Sequence, residues 1–295
     1  MATLIDGKKI AQEIKEELKE KINSLKQEGK SIPGLVTILV GDNPASQLYV
    51  NSKSKSCIEI GMHSKIEKLS SNISDSELLD LIEQYNHDNN YHGILVQLPL
   101  PNHINEQKVI ESIDFKKDVD GFHPVNVGKL VTGNNSFYPC TPYGIVELLK
   151  RYKIPTSGRH VVVVGRSNIV GKPVANILVQ KKEGANAIVT VCHSAVKDIS
   201  QFTKSADILI AAIGKPNFIN SGMVKEGVVI IDVGINRIED TTCSKGYRIV
   251  GDVDFASVKD KASFITPVPG GVGLMTIAML LKNTYQAYLN FQSGN

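Results

Sequence analysis

The chain has 295 residues, room for two domains, and its 42% hydrophobic content and 24 glycines fit a globular α/β protein rather than a disordered or fibrous one. A net charge of +3, with no lysine- or arginine-rich run interleaved with aromatics, argues against nucleic-acid binding. The start lacks the apolar core of a signal peptide, and no apolar run approaches the roughly 20 residues a membrane helix needs. Cys57, Cys140, Cys192 and Cys243 form no C-x-x-C pair and the histidines show no ligand spacing, so we expect buried thiols, no metal site and a cytoplasmic protein.

The first predicted element is a helix. Ile10, Ile14, Leu18, Ile22 and Leu25 recur at helical spacing, and the mixed lysines and glutamates of KEELKEKINSLK make its wet face. GLVTILVG (34–41) is a buried strand by its β-branched content. A second helix opens on Asp42, Asn43 and Pro44, good cap and first-turn residues, and closes at Gly61. SDSELLDLIEQYN begins with a Ser74/Glu77 capping box, and GILVQLPLP (93–101) is a strand ending in a proline-broken loop. Strands alternating with helices predict a parallel sheet.

From 114 to 141 the chain shows no clear periodicity, which reads as a long loop of the kind that carries function or is disordered. A helix around 142–152 leads into HVVVVGRSNIVGKPV (160–174), a strand, a tight turn and a helix start. AIVTVC, DILIAA and GVVIIDVG follow as buried strands, and a last helix, MTIAMLLKNTYQAYL, follows the glycine-rich TPVPGGVG. The expected fold is α/β with two domains. An N-terminal α/β domain spans 1–147 and is rejoined by the C-terminal helix at 275–295; a Rossmann-like parallel-sheet domain spans 148–274.

The turn after the four valines lacks the middle glycine of the G-x-G-x-x-G fingerprint; Ser167 stands there, beside Arg166. A phosphate sits on a helix N-terminus because free amides and the helix dipole both favour negative charge. Gly165 permits the tight turn, Gly171 lets the helix approach the sheet, and Ser167 offers a hydroxyl. The same spacing also describes a plain strand-to-helix joint. NAD sites place an Asp or Glu at the end of the second strand for the ribose 2′-hydroxyl. Here that strand ends in Cys192, His193 and Ser194, with no carboxylate until Asp198. Arg166 and Ser194 suit a 2′-phosphate, one by charge and one by hydrogen bond, so NADP is expected over NAD.

Within the second helix Ser46, Tyr49 and Lys53 share one face. A lone Tyr-x-x-x-Lys equally describes a packed, solvated stripe. In short-chain dehydrogenases such a pair follows the nucleotide turn, whereas here it precedes it by over a hundred residues. Gln97 stands at the C-terminal end of a strand, the ligand edge of a parallel sheet, and Asp120 lies in the long loop.

ASQLYVNSKSKSC, GILVQLPLP, DVDGFHPVNVG, PCTPYGI, VVVGRSNIVGKP, IDVGIN, GDVDF and PVPGGVG recur in order along nearly the whole chain. Together they resemble the bifunctional methylenetetrahydrofolate dehydrogenase/methenyltetrahydrofolate cyclohydrolase family. The resemblance implies a homodimer of two-domain subunits with a folate cleft between the domains. It also implies NADP-dependent oxidation of 5,10-methylenetetrahydrofolate, then hydrolysis to 10-formyltetrahydrofolate. By the matching motifs, Tyr49, Lys53, Gln97 and Asp120 take the family's substrate and catalytic positions, and Gly165, Arg166, Ser167, Ser194 and Ile235 its cofactor contacts. One departure is visible: the family commonly has proline where this chain has Leu274, which frees φ and restores a backbone donor.

Hydride loss from the methylene carbon is pushed by the adjacent nitrogens, so positioning by Tyr49 and Asp120 should dominate that step. Hydrolysis needs a base. Lys53 serves only while neutral, a form that burial and a cationic substrate both favour, and Gln97 holds it or the water without adding charge. Two other readings stand beside this one. A short-chain-type alcohol dehydrogenase is disfavoured by motif order. A non-catalytic NADP-binding regulator gives no reason for Tyr49, Lys53 and Gln97 to occur together.

Overall fold

The computed structural model describes residues 2–242 and 246–294. In chain order its elements are β1 (Thr3–Leu4), α1 (Gly7–Gln27), β2 (Gly34–Val40), α2 (Pro44–Glu59), β3 (His63–Leu69), α3 (Asp75–His87), β4 (Gly93–Val96), α4 (Glu106–Ser112), α5 (Pro124–Val131), α6 (Cys140–Arg151) and β5 (His160–Val164). Then come α7 (Gly171–Leu178), β6 (Ile188–Cys192), α8 (Ser200–Thr203), β7 (Ile208–Ala211), β8 (Val229–Asp232), β9 (Asn236–Glu239), β10 (Tyr247–Val250), α9 (Phe255–Val258), β11 (Phe264–Ile265) and α10 (Val272–Gln292). The chain divides into two compact units: Gln12–Tyr138 with the residues from Ile277 onward, and the residues up to Ala11 with Pro139–Thr276.

The first of these units holds a parallel sheet in the order β3-β2-β4. Every residue of β2 is buried, Thr37 included, as a central strand with both faces covered requires. The edge strand β3, HSKIEKL, is instead polar and half-exposed, and the charges on it discourage pairing with another chain. Asn43 caps α2 by accepting from the amides of Ala45 and Ser46, with Pro44 in the first turn. Ser74 and Glu77 close the expected capping box on α3. Ile10, Ile14, Leu18 and Ile22 of α1 are buried as their spacing predicts. The C-terminal helix joins this unit: Asn283 donates from Nδ2 to the carbonyls of Val119 at 2.8 Å and Tyr138 at 3.0 Å, and Tyr288 is buried.

The stretch 114–141, expected to be a long loop, contains α5. His123 caps it, accepting the Val125 amide at Nδ1, and Pro124 sets its first turn. Eight residues are too few for a helical period to stand out in the sequence.

The second unit holds a six-stranded sheet in the order β1-β11-β8-β7-β5-β6, with every pairing parallel. Strand order reverses between β5 and β7, so their C-terminal ends form the switch point at which such sheets bind ligands. The N-terminal residues and α6 belong here, not with the residues that the sequence reading grouped at 1–147. Strand β1 pairs with β11, the Asp6 amide donates to the Tyr152 hydroxyl at 2.7 Å, and a Cβ on Gly144 would lie 2.6 Å from Met275 Cβ. Cys57, Cys140 and Cys192 are buried; Cys243 lies outside the described residues. Leu274 falls in the first turn of α10 and is 42% exposed. No helix among the described residues is long and apolar enough to cross a membrane.

Candidate active site

Lys53 and Gln97 meet in space. Helix α2 presents Tyr49 and Lys53 on one face, and Gln97 leaves the C-terminal end of β4. The half-buried Lys53 donates from Nζ to Gln97 Oε1 at 2.9 Å, while Gln97 Nε2 donates to the Leu98 carbonyl at 2.7 Å. The backbone carbonyl therefore decides which end of the amide faces the amine. The Gln97 backbone amide donates to the Ile38 carbonyl at 2.9 Å. Tyr49 is 55% exposed, leaving its ring and hydroxyl open to a ligand.

Asp120 lies in the turn that follows a bridge to that sheet. Asp118 forms a parallel bridge with Ile94 of β4, and Asp120 follows in the turn closed by the Gly121 amide on the Asp118 carbonyl at 3.1 Å. The carboxylate of Asp118, only 2% exposed, accepts the amides of Gly121 at 3.1 Å, Phe122 at 3.3 Å and His123 at 2.8 Å, and Asn126 Nδ2 at 2.8 Å. Burial pushes this carboxyl above the usual range, against the bonds from Asn126 and His123. Lys117, also buried, donates to the carbonyls of Tyr85 and Asp88 at 2.8 Å each. Asp118 was absent from the sequence reading. Its signal was D-x-D-G, in which the first aspartate closes the turn and leaves the second half-exposed.

In the other unit the turn after β5 lies at the switch point. Gly165 has φ +136°, and a Cβ there would lie 2.1 Å from the Ala212 carbonyl oxygen, at the exit of β7. A Cβ on Gly171 would lie 2.2 Å from the Gly165 oxygen, so α7 starts hard against the strand end. Ser167 Oγ accepts the Val170 amide at 3.1 Å and the Gly171 amide at 3.4 Å, which leaves its hydrogen to donate outward. The Gly165 amide donates to the Cys192 carbonyl at 2.8 Å, so His193 and Ser194 emerge beside the turn. Arg166 Nη1 lies 3.4 Å from His193 Nε2. Arg166, Ser167 and Ser194 are all exposed, and Ile235, past the end of β8, is 59% exposed.

Two aspartates that sequence reasoning passed over sit behind this edge. Asp232 and Asp252 are 4% and 0% exposed, and each accepts hydrogen bonds from backbone amides. Burial pushes the Asp232 carboxyl up to about 6, opposed by the amides of Asp252, Val253 and Gly234.

A doubly wound parallel sheet with a glycine-serine turn at its switch point defines a nucleotide-binding α/β protein, here carrying a second α/β unit with its own amine–amide pair. Two family models cover the chain: the catalytic domain of tetrahydrofolate dehydrogenase/cyclohydrolase matches residues 5–120, and its NAD(P)-binding domain matches residues 139–292. The bifunctional protein FolD of Chloroherpeton thalassium is 59% identical over 98% of this chain and 99% of its own length. Among solved structures, the bifunctional methylenetetrahydrofolate dehydrogenase/cyclohydrolase FolD of Campylobacter jejuni is 53% identical with a TM-score of 0.93, covering 99% of this chain and 100% of that one. The Trypanosoma brucei enzyme, complexed with NADP cofactor and an inhibitor, is 38% identical with a TM-score of 0.92, covering 99% and 98%. This chain belongs to the tetrahydrofolate dehydrogenase/cyclohydrolase family.

Proposed function

We propose that the chain oxidises 5,10-methylenetetrahydrofolate with NADP and hydrolyses the methenyl product to 10-formyltetrahydrofolate. The observation that carries this reading is the Lys53–Gln97 contact, an amine held by a neutral acceptor at a sheet's ligand edge. Membership of the family supplies the substrate class.

The residues present fit a phosphorylated dinucleotide. Gly165 and Gly171 keep clear a cradle that a Cβ at either position would fill, and the Ser167 hydrogen is free to donate to a phosphate oxygen. The strand that would carry an NAD-type carboxylate ends in His193 and Ser194, with Arg166 alongside, so a 2′-phosphate meets charge and hydrogen-bond donors there. When bound, the dinucleotide supplies the hydride acceptor. Ile235 offers it an apolar surface.

On the folate, the exposed ring of Tyr49 provides a stacking face, and the Asp120 carboxylate accepts from pterin N–H groups, which sets orientation. In hydrolysis, water adds to the methenyl carbon and gives a proton to neutral Lys53. The same proton is then returned to the ring nitrogen as its bond to that carbon breaks, and the carbinol hydroxyl releases its own proton to solvent as the formyl carbonyl forms. Gln97 accepts from the amine in either charge state.

Mixing the protein with methylenetetrahydrofolate and NADP tests both steps. NADPH should form without lasting methenyl absorbance. No NADPH would overturn the dehydrogenase assignment, and stable methenyl absorbance the cyclohydrolase. We take the working form to be a homodimer in the cytoplasm, as the resemblance implies. Light scattering that gives the mass of a single chain would refute the pairing.

A further inference from the structure

The motifs IDVGIN (231–236) and GDVDF (251–255) carry aspartates that take no part in the chemistry above. Asp232 Oδ1 accepts the amides of Gly234 and Asp252 at 2.9 Å each, and its Oδ2 accepts the Val253 amide at 3.0 Å. Asp252 Oδ2 accepts the amides of Ile213 at 2.6 Å and Gly214 at 2.9 Å, and its Oδ1 accepts Asn236 Nδ2 at 2.8 Å. Five backbone amides and one side-chain amide thus converge on two buried carboxylates. The amides come from the exit of β7, the exit of β8, and the segment after β10.

Two glycines show how closely these segments are drawn in. A Cβ on Gly251 would lie 1.8 Å from Asp232 Oδ2, and one on Gly234 would lie 2.4 Å from Asp252 Oδ1. The exit of β7 is also one wall of the nucleotide turn, since the Ala212 oxygen is what a Cβ on Gly165 would strike. Asp252 therefore holds residues 213–214, directly beyond that wall, and through Asn236 it holds the neighbour of Ile235. Burying charge is an expensive way to stabilise a fold, and well-packed apolar groups often do as well. What carboxylates do that apolar groups cannot is satisfy amides along an irregular backbone path.

We propose that Asp232 and Asp252 are positioning residues for the dehydrogenase, fixing the exits of β7 and β8 around the dinucleotide. This rests on reading the 165–167 turn and Ile235 as cofactor contacts. The cyclohydrolase residues Lys53 and Gln97 lie in the other unit and serve as an internal control.

The test compares Asp252→Asn, Asn236→Ala and the paired swap Asp252→Asn with Asn236→Asp. In Asp252→Asn one acceptor oxygen becomes a donor, so either the Ile213 and Gly214 amides or the Asn236 amide loses its partner. The paired swap places a carboxylate opposite the new amide group and restores the match. Because ångström-scale misplacement is expensive in catalysis, Asp252→Asn should lower dehydrogenase kcat/KM for NADP by about tenfold or more, with the cyclohydrolase rate within about twofold of the unmodified protein. The swap should recover most of the loss, and Asn236→Ala should fall in between. A folded Asp252→Asn protein with unchanged dehydrogenase kinetics overturns the proposal. So does a parallel loss of both activities that the swap fails to rescue, which is the signature of a merely structural pair. If Asp252→Asn does not fold, Asn236→Ala decides alone, and unchanged NADP kinetics there overturns the inference. An unmodified protein that fails to reduce NADP sinks the parent reading as well; an active one beside an indifferent variant sinks this inference only.

Discussion

His92 should make the stability of the chain fall as the pH drops from neutral to weakly acid. Its side chain is 4% exposed, and Nδ1 accepts the Gly34 amide at 3.1 Å. The ring stands edge-on to Tyr288 and Phe291, with centroids 5.0 and 5.4 Å away. Protonation would set a donor against the Gly34 donor, in an apolar surround near the Lys117 ammonium. Burial, then Lys117, accordingly push the imidazole down to about 4. In the unfolded chain the group titrates near its ordinary value of about 6.5. Between those values the unfolded state holds the extra proton, so stability is lost as pH falls through that window. From pH 7 to about pH 4.5 the loss is about 2 kcal/mol, a sizeable share of the roughly 5–15 kcal/mol that holds a typical domain. His92→Asn keeps an acceptor for the Gly34 amide and removes the titration. Urea unfolding of both proteins at several pH values reads the difference. The variant is weaker at pH 7 because it loses ring contacts, but its deficit should shrink by about 2 kcal/mol on acidification. A deficit that stays constant across the range would refute the assignment of a buried neutral imidazole.

Three further outcomes follow from the site. Lys53→Met should lower the cyclohydrolase rate by about 10²–10⁴-fold, the usual reach of a general base, while leaving measurable NADP reduction; full hydrolysis in that variant would remove Lys53 from the mechanism. Arg166→Ala should abolish the preference for NADP over NAD in paired kcat/KM measurements, and an unaltered ratio would count against a 2′-phosphate contact. Asp118→Ala leaves three backbone amides and the Asn126 amide without their carboxylate. The two 2.8 Å bonds alone predict a loss of about 2–5 kcal/mol in urea unfolding, together with weaker folate binding through Asp120; a change under about 1 kcal/mol would show the loop held by other means.

How much of this was legible beforehand follows from the range of each interaction. The caps at Asn43 and Ser74, the buried run of β2 and the valines of β5 are local or periodic, and each stands where the sequence put it. Strand β3 escaped notice because HSKIEKL pairs only along one edge and keeps its polar residues wet. The ribbon of β9 and β10 is antiparallel, outside the two main sheets, and likewise carries no apolar run. For the site, Tyr49 and Lys53 share a helix face by spacing alone, but the meeting of Lys53 with Gln97 spans 44 positions and depends on α2 packing against β2 and β3 while β4 pairs with β2. Asp118, Asp232 and Asp252 were the least visible. Each holds backbone amides, and a backbone amide has no side-chain identity for a sequence motif to display.

The buried aspartates and the catalytic amine handle charge in opposite ways, and the chemistry explains the contrast. Asp232 and Asp252 are buried but saturated with amides, so their charge is spent on holding backbone in place. Beside Lys53 the acceptor is the uncharged Gln97, and its orientation is fixed by the Leu98 carbonyl. A carboxylate at the same 2.9 Å would attract an ammonium by about 6 kcal/mol at an effective dielectric constant near 20. That attraction would keep the proton on the amine and leave no base for water. An apolar neighbour would fail differently, because nothing would then aim the amine. A primary amide gives direction without the full charge of a carboxylate, which is what a group that must accept a proton and then return it requires.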